Sequence, residues 1–483
     1  MGKYSAMQFS VRPAVVARLL GDMYGILALL TIVPGVLAWA TESVAAPAYA
    51  LVVLALGIAW LAARGLPAPR GVQKNEALVV VALVFSSSSL LLALPVMAYG
   101  IPFIDAWFEA VSGVTTTGLS TLQLADRPVA FLFGRAWMQW VGGIGVVVLA
   151  LALFVRPGVS ASRLGFSRQE MDDVVGGTRA HARRVIIIYL GLTLLGISAL
   201  LLAGASLIDA IVHCMAALST GGFANYQASL ASVSASQLWV INALCIAGAV
   251  SFHLYYRSLL YTRRGQFLDS QLYALLALLL LLSSLLWALG QAADLDASLA
   301  DLATLAISAQ TTAGFSTVDL ATLPPAMLLL LCAFMAIGGG AGSTAGGIKL
   351  DRALVVLQVA YRALLRSSLP EKVYVRGEKG AEASRLEEAV ALVFWFLLFV
   401  LLSWLVFLAC GYPAMNSLFE VVSATATVGL SAGVTSADLP PALKALLCFN
   451  MLLGRVEIVA MLVLFAPRSW FGRRRALNGR TTK

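Results

Sequence analysis

The sequence predicts an all-α polytopic membrane protein of about ten transmembrane helices, arranged as two leading spans and four span, pore-helix, span repeats. Two observations carry this expectation. Hydrophobic residues make up 60% of the 483 residues against 12% charged, with a mean hydropathy of +0.89, a balance that belongs in lipid. A short threonine and glycine element also recurs four times with one layout, the mark of a supersecondary unit used repeatedly.

Apolar runs long enough to cross a hydrocarbon core of about 30 Å fall at 14–40, 49–63, 76–98, 129–155, 185–204, 237–256, 270–290, 325–348, 388–410 and 442–466. The first has no convincing cleavage site behind it and reads as a retained span. Grouping the runs around the recurring element divides the chain into a two-span region at 1–75 and repeats at 76–160, 161–264, 265–368 and 369–467. The third repeat has a broken second span, and 468–483 is a basic cytoplasmic tail.

Charge sets the orientation. Basic residues cluster at Lys3, Arg12 and Arg18, at Arg64, Arg70 and Lys74, from Arg156 through Arg184, at Arg257, Arg263 and Arg264, from Arg352 to Arg385, and from Arg468 to Lys483. With ten spans these segments all face one side, the cytoplasm, together with both termini. The opposite loops carry Glu42, Asp126, Asp294, Asp296, Asp319 and Asp438. The formal charge of +9 is therefore a matter of topology, and no nucleic-acid partner is expected. Five dispersed cysteines read as small buried hydrophobes, and His181, His213 and His253 are too far apart for a metal site.

The four elements read Ser112-Gly-Val-Thr-Thr-Thr-Gly118-Leu-Ser, Ala216-Ala-Leu-Ser-Thr-Gly-Gly222-Phe-Ala, Ser308-Ala-Gln-Thr-Thr-Ala-Gly314-Phe-Ser and Ser423-Ala-Thr-Ala-Thr-Val-Gly429-Leu-Ser. Thr116, Thr220, Thr312 and Thr427 each precede the final glycine by two residues. Asp105, Asp209, Asp301 and Asn416 precede it by thirteen, and each is a candidate helix N-cap. Between cap and threonine there is room for a helix of roughly ten residues, about 15 Å, or half the hydrocarbon thickness. Such a segment enters and leaves by the same face, and its backbone is tolerated only against protein or water, so the four should converge on one aqueous axis. Any single copy could be an ordinary turn. Four copies at one offset between spans point instead to oxygen rings that replace the hydration shell of a monovalent cation. In this reading glycine supplies positive φ, threonine adds a hydroxyl acceptor, and each short helix aims its negative end at the ion.

The candidate filter is Thr115, Thr116, Thr117, Gly118; Thr220, Gly221, Gly222; Thr312, Ala313, Gly314; and Thr427, Val428, Gly429. The four threonines Thr116, Thr220, Thr312 and Thr427 are the expected ion-binding positions. Small residues Gly143, Ala247, Gly339 and Gly454 lie twenty-five residues past each filter glycine, suited to helix packing or to lining the pore. Glu109 and Glu420 share one place in repeats one and four, supporting the pore helices or drawing cations to the mouth. Six glycines (Gly338, Gly339, Gly340, Gly342, Gly346, Gly347), followed by Lys349, interrupt the third repeat. At about 1 kcal/mol each relative to alanine they break the helix, and a broken helix at that depth borders a cavity. Arg455 falls inside the last apolar span, where an arginine faces either the pore and the glycine loop or a carboxylate such as Glu457.

These motifs resemble the Trk, Ktr and HKT superfamily of cation transporters from about residue 76 onward. The two leading spans and the 338–347 segment look more like the TrkH branch than the shorter Ktr branch. The resemblance implies a pseudo-fourfold pore for potassium ions in the bacterial inner membrane, and a homodimer of two separate pores. It also implies a cytoplasmic TrkA-like ring whose nucleotide binds the partner subunits and not this chain, and an intramembrane glycine loop that gates the pore. Preference for potassium over sodium rests on the resemblance alone, and coupling to protons or sodium is not legible. A less selective or sodium-coupled carrier is the alternative, although such carriers usually repeat in two halves. An integral-membrane enzyme is the least supported class, because no nucleophile, acid and base cluster together.

Overall fold

The computed structural model describes residues 10–69, 71–125, 127–154, 178–260, 269–367 and 381–471, and all regular structure in them is helical. The basic stretches at 156–177, 263–264, 368–380 and 472–483, and Asp126, lie outside the described residues.

α1 (Pro13–Ala40) and α2 (Ala46–Arg64) form a leading hairpin, each with proline in its first turn, where the missing N–H costs nothing. The hairpin can close tightly because Gly21 lies against Ala63. It is tied to the rest of the molecule by Arg12, which pairs with buried Glu76 at 2.6 Å at the start of α3 (Lys74–Met97).

From α3 onward one order recurs: long helix, short helix, second span. It runs α3, α4 (Phe103–Val114), α5 (Val129–Phe154); α6 (Thr178–Leu202), α7 (Leu207–Leu218), α8 (Ala235–Ala249) and α9 (Phe252–Leu260). It continues α10 (Ser270–Ala292), α11 (Leu299–Thr311), α12 (Pro325–Ile337) and α13 (Leu350–Ser367); then α14 (Ala381–Ala409), α15 (Ala414–Thr425), α16 (Pro441–Arg455) and α17 (Ile458–Phe465), with α18 (Pro467–Trp470) at the end. Among the described residues, α1, α2, α3, α6, α10 and α14 hold stretches long and apolar enough to cross a membrane. The long helices turn leucines such as Leu29, Leu194, Leu280 and Leu397 outward, as a lipid-facing surface requires. The short helices α4, α7, α11 and α15 are instead buried over most of their length.

Two expectations need correction. Asp105, Asp209, Asp301 and Asn416 are not the caps: Pro102, Ser206, Ser298 and Pro413 are, and the four polar residues stand third in their helices. The hydroxyls of Ser206 and Ser298 already accept the N–H groups of Asp209 and Asp301, each at 3.2 Å. Nor is the third repeat alone in having a broken second span. α8 and α9 meet at 91°, and α16 and α17 at 112°. Those breaks lie at 250–251 and 456–457, the first inside an apolar run and the second between Arg455 and Ile458, where the charges alone do not signal a change of direction. The first is tolerated because another segment takes up the freed backbone groups: Gly340 N–H donates to Ala249 O at 2.9 Å and Thr344 N–H to Gly248 O at 3.1 Å.

Candidate functional site

Each short helix ends in the same hydrogen-bonded turn. The residue after the filter threonine donates back to the carbonyl five residues earlier: Thr117 to Ser112 at 2.9 Å, and Gly221 to Ala216, Ala313 to Ser308 and Val428 to Ser423 at 2.8 Å. This is the C-terminal motif that normally places glycine in the left-handed region. Here threonine occupies that position, with φ of 55° at Thr116, 52° at Thr220, 57° at Thr312 and 52° at Thr427, and the glycine two residues on is again positive, from 77° to 95°. The sequence reading assigned positive φ to the glycines only. A left-handed β-branched residue costs about 1–2 kcal/mol, and such strain persists only where the surroundings over-determine it.

The four turns close into a ring. A side chain on Gly118 would strike the carbonyl oxygen of Gly221; one on Gly222, that of Ala313; one on Gly314, that of Val428; and one on Gly429, that of Thr117. Each filter glycine therefore lies against the next segment, and the fourth returns to the first. Above the ring, Gly118, Gly222, Gly314 and Gly429 line a single vestibule of about 560 Å³ that also reaches Arg135 and Asp319. The buried hydroxyls of Thr116 and Thr427 have no protein partner.

The polar residues at the helix starts fix the outer side of the ring. In three repeats they bond to a group sixteen residues on: Asp105 accepts from Thr121 at 2.6 Å, Asp209 from Asn225 at 2.7 Å, and Asn416 donates to Ala432 O at 2.9 Å. In the third, Asp301 closes a reciprocal cap with Ser298. Burial pushes the Asp209 carboxyl up, but bonds from Asn225 and Ser206 outweigh it and hold the group below its usual pKa.

Buried charges brace the same layer. Lys444 pairs with Asp105 at 2.6 Å. Glu109 accepts from Arg135 and, at 2.7 Å, from Ser120, while Glu420 accepts from Ser431, Thr435 and Val434 N–H. Both glutamates are fully buried, so they hold the segments that leave the filter. Removing one partner of a buried ion pair costs about 3–5 kcal/mol. Glu109→Ala should therefore lower thermal stability by an amount of that order in an unfolding assay, and an unchanged midpoint would show that Arg135 needs no counter-charge.

Residues 338–349 lie against the inner side of the ring. Gly346 N–H donates to Thr312 Oγ1 at 2.7 Å and Gly347 N–H to Ala426 O at 3.0 Å, while Gly338 O accepts from Gln310 at 2.6 Å. Any side chain on Gly346 would meet Thr427 Oγ1 and Ala426 O, so glycine is required by close approach. Thr344 Oγ1 bonds Leu218 O at 2.9 Å and Gly248 O at 2.8 Å. Of the remaining loop residues, Gly339 packs on Ala345 and Ala249, Gly340 on Ala249, and Gly342 takes φ of 69°. Lys349 Nζ bonds Ala345 O, curling back over the loop.

Arg455 joins this loop to the first repeat. It is 5% exposed and donates to Thr344 O at 2.7 Å, Gly142 O at 2.9 Å and Gly143 O at 3.1 Å. Glu457, its suggested carboxylate partner, pairs instead with Arg352 at 2.8 Å. Of the small residues in the second spans, Gly454 packs on Thr425 O and Gly143 on Ser219, which is helix packing beside the pore helices.

Sequence reasoning missed Arg135, Gln139 and Lys444. All three are polar groups inside apolar spans, the signal that singled out Arg455.

Comparison with known proteins agrees with this architecture. The chain matches the TrkH family model, described as a cation transport protein, over residues 46–290 and 291–471. It is 33% identical over 444 residues to the Trk system potassium uptake protein TrkI of Halomonas elongata, covering 87% of this chain and 89% of that protein. It is also 33% identical over 386 residues to the Trk system potassium uptake protein TrkH of Salmonella typhimurium, covering 76% and 79%. The crystal structure of the potassium transporter TrkH from Vibrio parahaemolyticus superposes with a TM-score of 0.82 at 25% identity, covering 95% of this chain and 100% of that one. This chain belongs to the TrkH family of cation transport proteins.

Proposed function

We propose that the chain conducts potassium ions across a membrane along the axis of the four-segment ring. The closed ring carries this reading: four left-handed threonines, each followed two residues later by a positive-φ glycine, turn successive backbone groups toward one axis. Unpartnered hydroxyls at Thr116 and Thr427 suit a site where a cation supplies the missing partner. The negative ends of α4, α7, α11 and α15 favour the same charge. Potassium is the favoured ion because the relatives from Halomonas elongata and Salmonella typhimurium are named for its uptake.

The loop at 338–349 is the gate. Its bonds to Thr312 and Ala426 tie it to the third and fourth segments, and the cavity between it and repeat four, lined by Gly346, Lys349, Phe396, Arg455 and Ile458, is only about 40 Å³. That is room for about three waters, against the open vestibule outside. Arg455 adds a positive charge to the barrier. Opening requires the loop to leave Arg455, and the basic side is the cytoplasmic one, with both termini there. Partner subunits on that side, a nucleotide-binding ring of the TrkA kind, and pairing of two copies of this chain in the bacterial inner membrane complete the proposal.

Ion flux into proteoliposomes holding the purified chain tests it, with potassium, rubidium, sodium and lithium compared in one preparation. Potassium and rubidium should exceed sodium and lithium at least tenfold, on the order of 1.4 kcal/mol of discrimination. Equal flux of all four would retain a pore and remove its selectivity.

A further inference from the structure

The four filter segments are not held alike. In the first and fourth, a serine on the segment's own short helix holds the N–H of the filter glycine: Ser112 accepts from Gly118 at 2.9 Å and Ser423 from Gly429 at 3.1 Å. The third has Ser308 at the same position with its buried hydroxyl unbonded, and the second has Ala216, which offers no hydroxyl at all.

What holds the second segment comes from the neighbouring repeat. Gln139, on α5 of repeat one and fully buried, gives its side-chain amide N–H to Gly221 O and accepts Phe223 N–H at 3.1 Å. One amide thereby spans both sides of Gly222, as another backbone segment would. One turn earlier on α5, Arg135 donates to Ala224 O at 3.2 Å and stacks on the Phe223 ring at 3.9 Å. Gly221 must be glycine for the amide to approach, since a side chain there would occupy the position of the Gln139 carboxamide.

We infer that Gln139 is a positioning residue for ion selection: it replaces the serine that the second short helix lacks, and it engages one carbonyl of the ring. Among the described residues, at the level of Thr117, Gly221, Ala313 and Val428, only the Gly221 carbonyl accepts a side-chain N–H, so this oxygen is fixed in place and part of its negative field is spent on the donor. The ring is consequently asymmetric, and selectivity depends on a residue outside the filter. This rests on the potassium-pathway reading above, which is scored on the unaltered chain, so the two can fail separately.

The test compares the potassium-to-sodium flux ratio in proteoliposomes for the unaltered chain, Gln139→Ala, Gln139→Met and each combined with Ala216→Ser. Methionine keeps the volume and removes both polar ends, so it reports even where the alanine variant does not fold. Loss of one or two buried hydrogen bonds should lower the ratio about tenfold, through a rise in sodium flux with potassium flux largely kept. Ala216→Ser restores a hydroxyl where the first, third and fourth segments have one, and should recover most of the ratio. An unchanged ratio in Gln139→Met, an equal fall in both ions, or a lost ratio that Ala216→Ser leaves lost would each overturn the assignment. An unaltered chain that passes both ions equally would instead sink the potassium reading itself.

Discussion

Replacing Gly429 with valine is expected to abolish potassium flux while leaving the helices assembled. Gly429 has a φ of 94°, and any Cβ would lie against Thr117 O and the Gly118 backbone. Left-handed backbone at a residue bearing a side chain costs about 1–2 kcal/mol, and overpacking adds about 1–3 kcal/mol. The neighbouring segment cannot move away, because Thr117 N–H is bonded to Ser112 O and Gly118 N–H to Ser112 Oγ. The fourth segment must therefore leave the ring, opening it between repeats four and one. A fall in flux of a hundredfold or more follows from about 3 kcal/mol of lost geometry. Growth rescue of a potassium-uptake-deficient strain and flux in proteoliposomes both read it. Gly204→Val is the control: φ there is 85° but nothing lies within 4 Å, so backbone strain alone should leave transport intact. Full rescue by Gly429→Val would refute a ring built on close backbone approach.

Arg455→Ala should act in the opposite direction, raising flux in the absence of any partner subunit. The guanidinium bridges Thr344 O of the 338–349 loop to Gly142 O and Gly143 O of α5. Hydrogen bonds to a charged group are worth about 1.5–3 kcal/mol each, so losing the one to Thr344 shifts the loop toward release by about tenfold or more. Removal of the positive charge lowers the barrier to a cation as well. Stability should fall at the same time, since three carbonyls lose their donor. Arg455→Lys should fall between, because one ammonium cannot span the two groups of carbonyls as the planar fork does. Flux that drops or stays constant in Arg455→Ala would assign the residue to structure alone.

The two variants also separate filter from gate. The first changes which ions pass and whether they pass; the second changes how readily the pathway opens. Gln139 belongs with the first, although it stands on a span and not in a filter segment.

How much of this was legible beforehand differs from element to element. The four elements were plain because the repeat preserves offsets: a threonine two residues before each glycine and a polar residue thirteen before it. That the polar residue follows the cap and bonds to the segment leaving the turn was not plain, because Asp suits either position and the choice depends on a partner sixteen residues away. The glycine run announced a break in the third repeat. The breaks after Ala249 and Arg455 were hidden, since the single glycines beside them, Gly248 and Gly454, read equally well as close-packing positions within a continuous span. At the first the 338–349 loop presents the backbone N–H groups that take up Gly248 O and Ala249 O, and at the second Arg455 reaches Thr344 O; these groups meet only in the folded molecule.

The sequence by itself determined that the chain spans a membrane, that one unit is used four times, and that a glycine loop and a buried arginine stand in the last two units. Composition, periodicity and spacing are local properties, and they survive without knowledge of contacts. Only the tertiary structure decided that the segments close in the order one, two, three, four, that Arg455 holds Thr344 and leaves Glu457 to Arg352, and that Gln139 bonds the threonine and glycine segment of another repeat. Each of these joins residues tens to hundreds of positions apart. Such pairings are chosen by how the helices pack and which buried polar groups remain to be satisfied, and no single stretch of sequence carries that information.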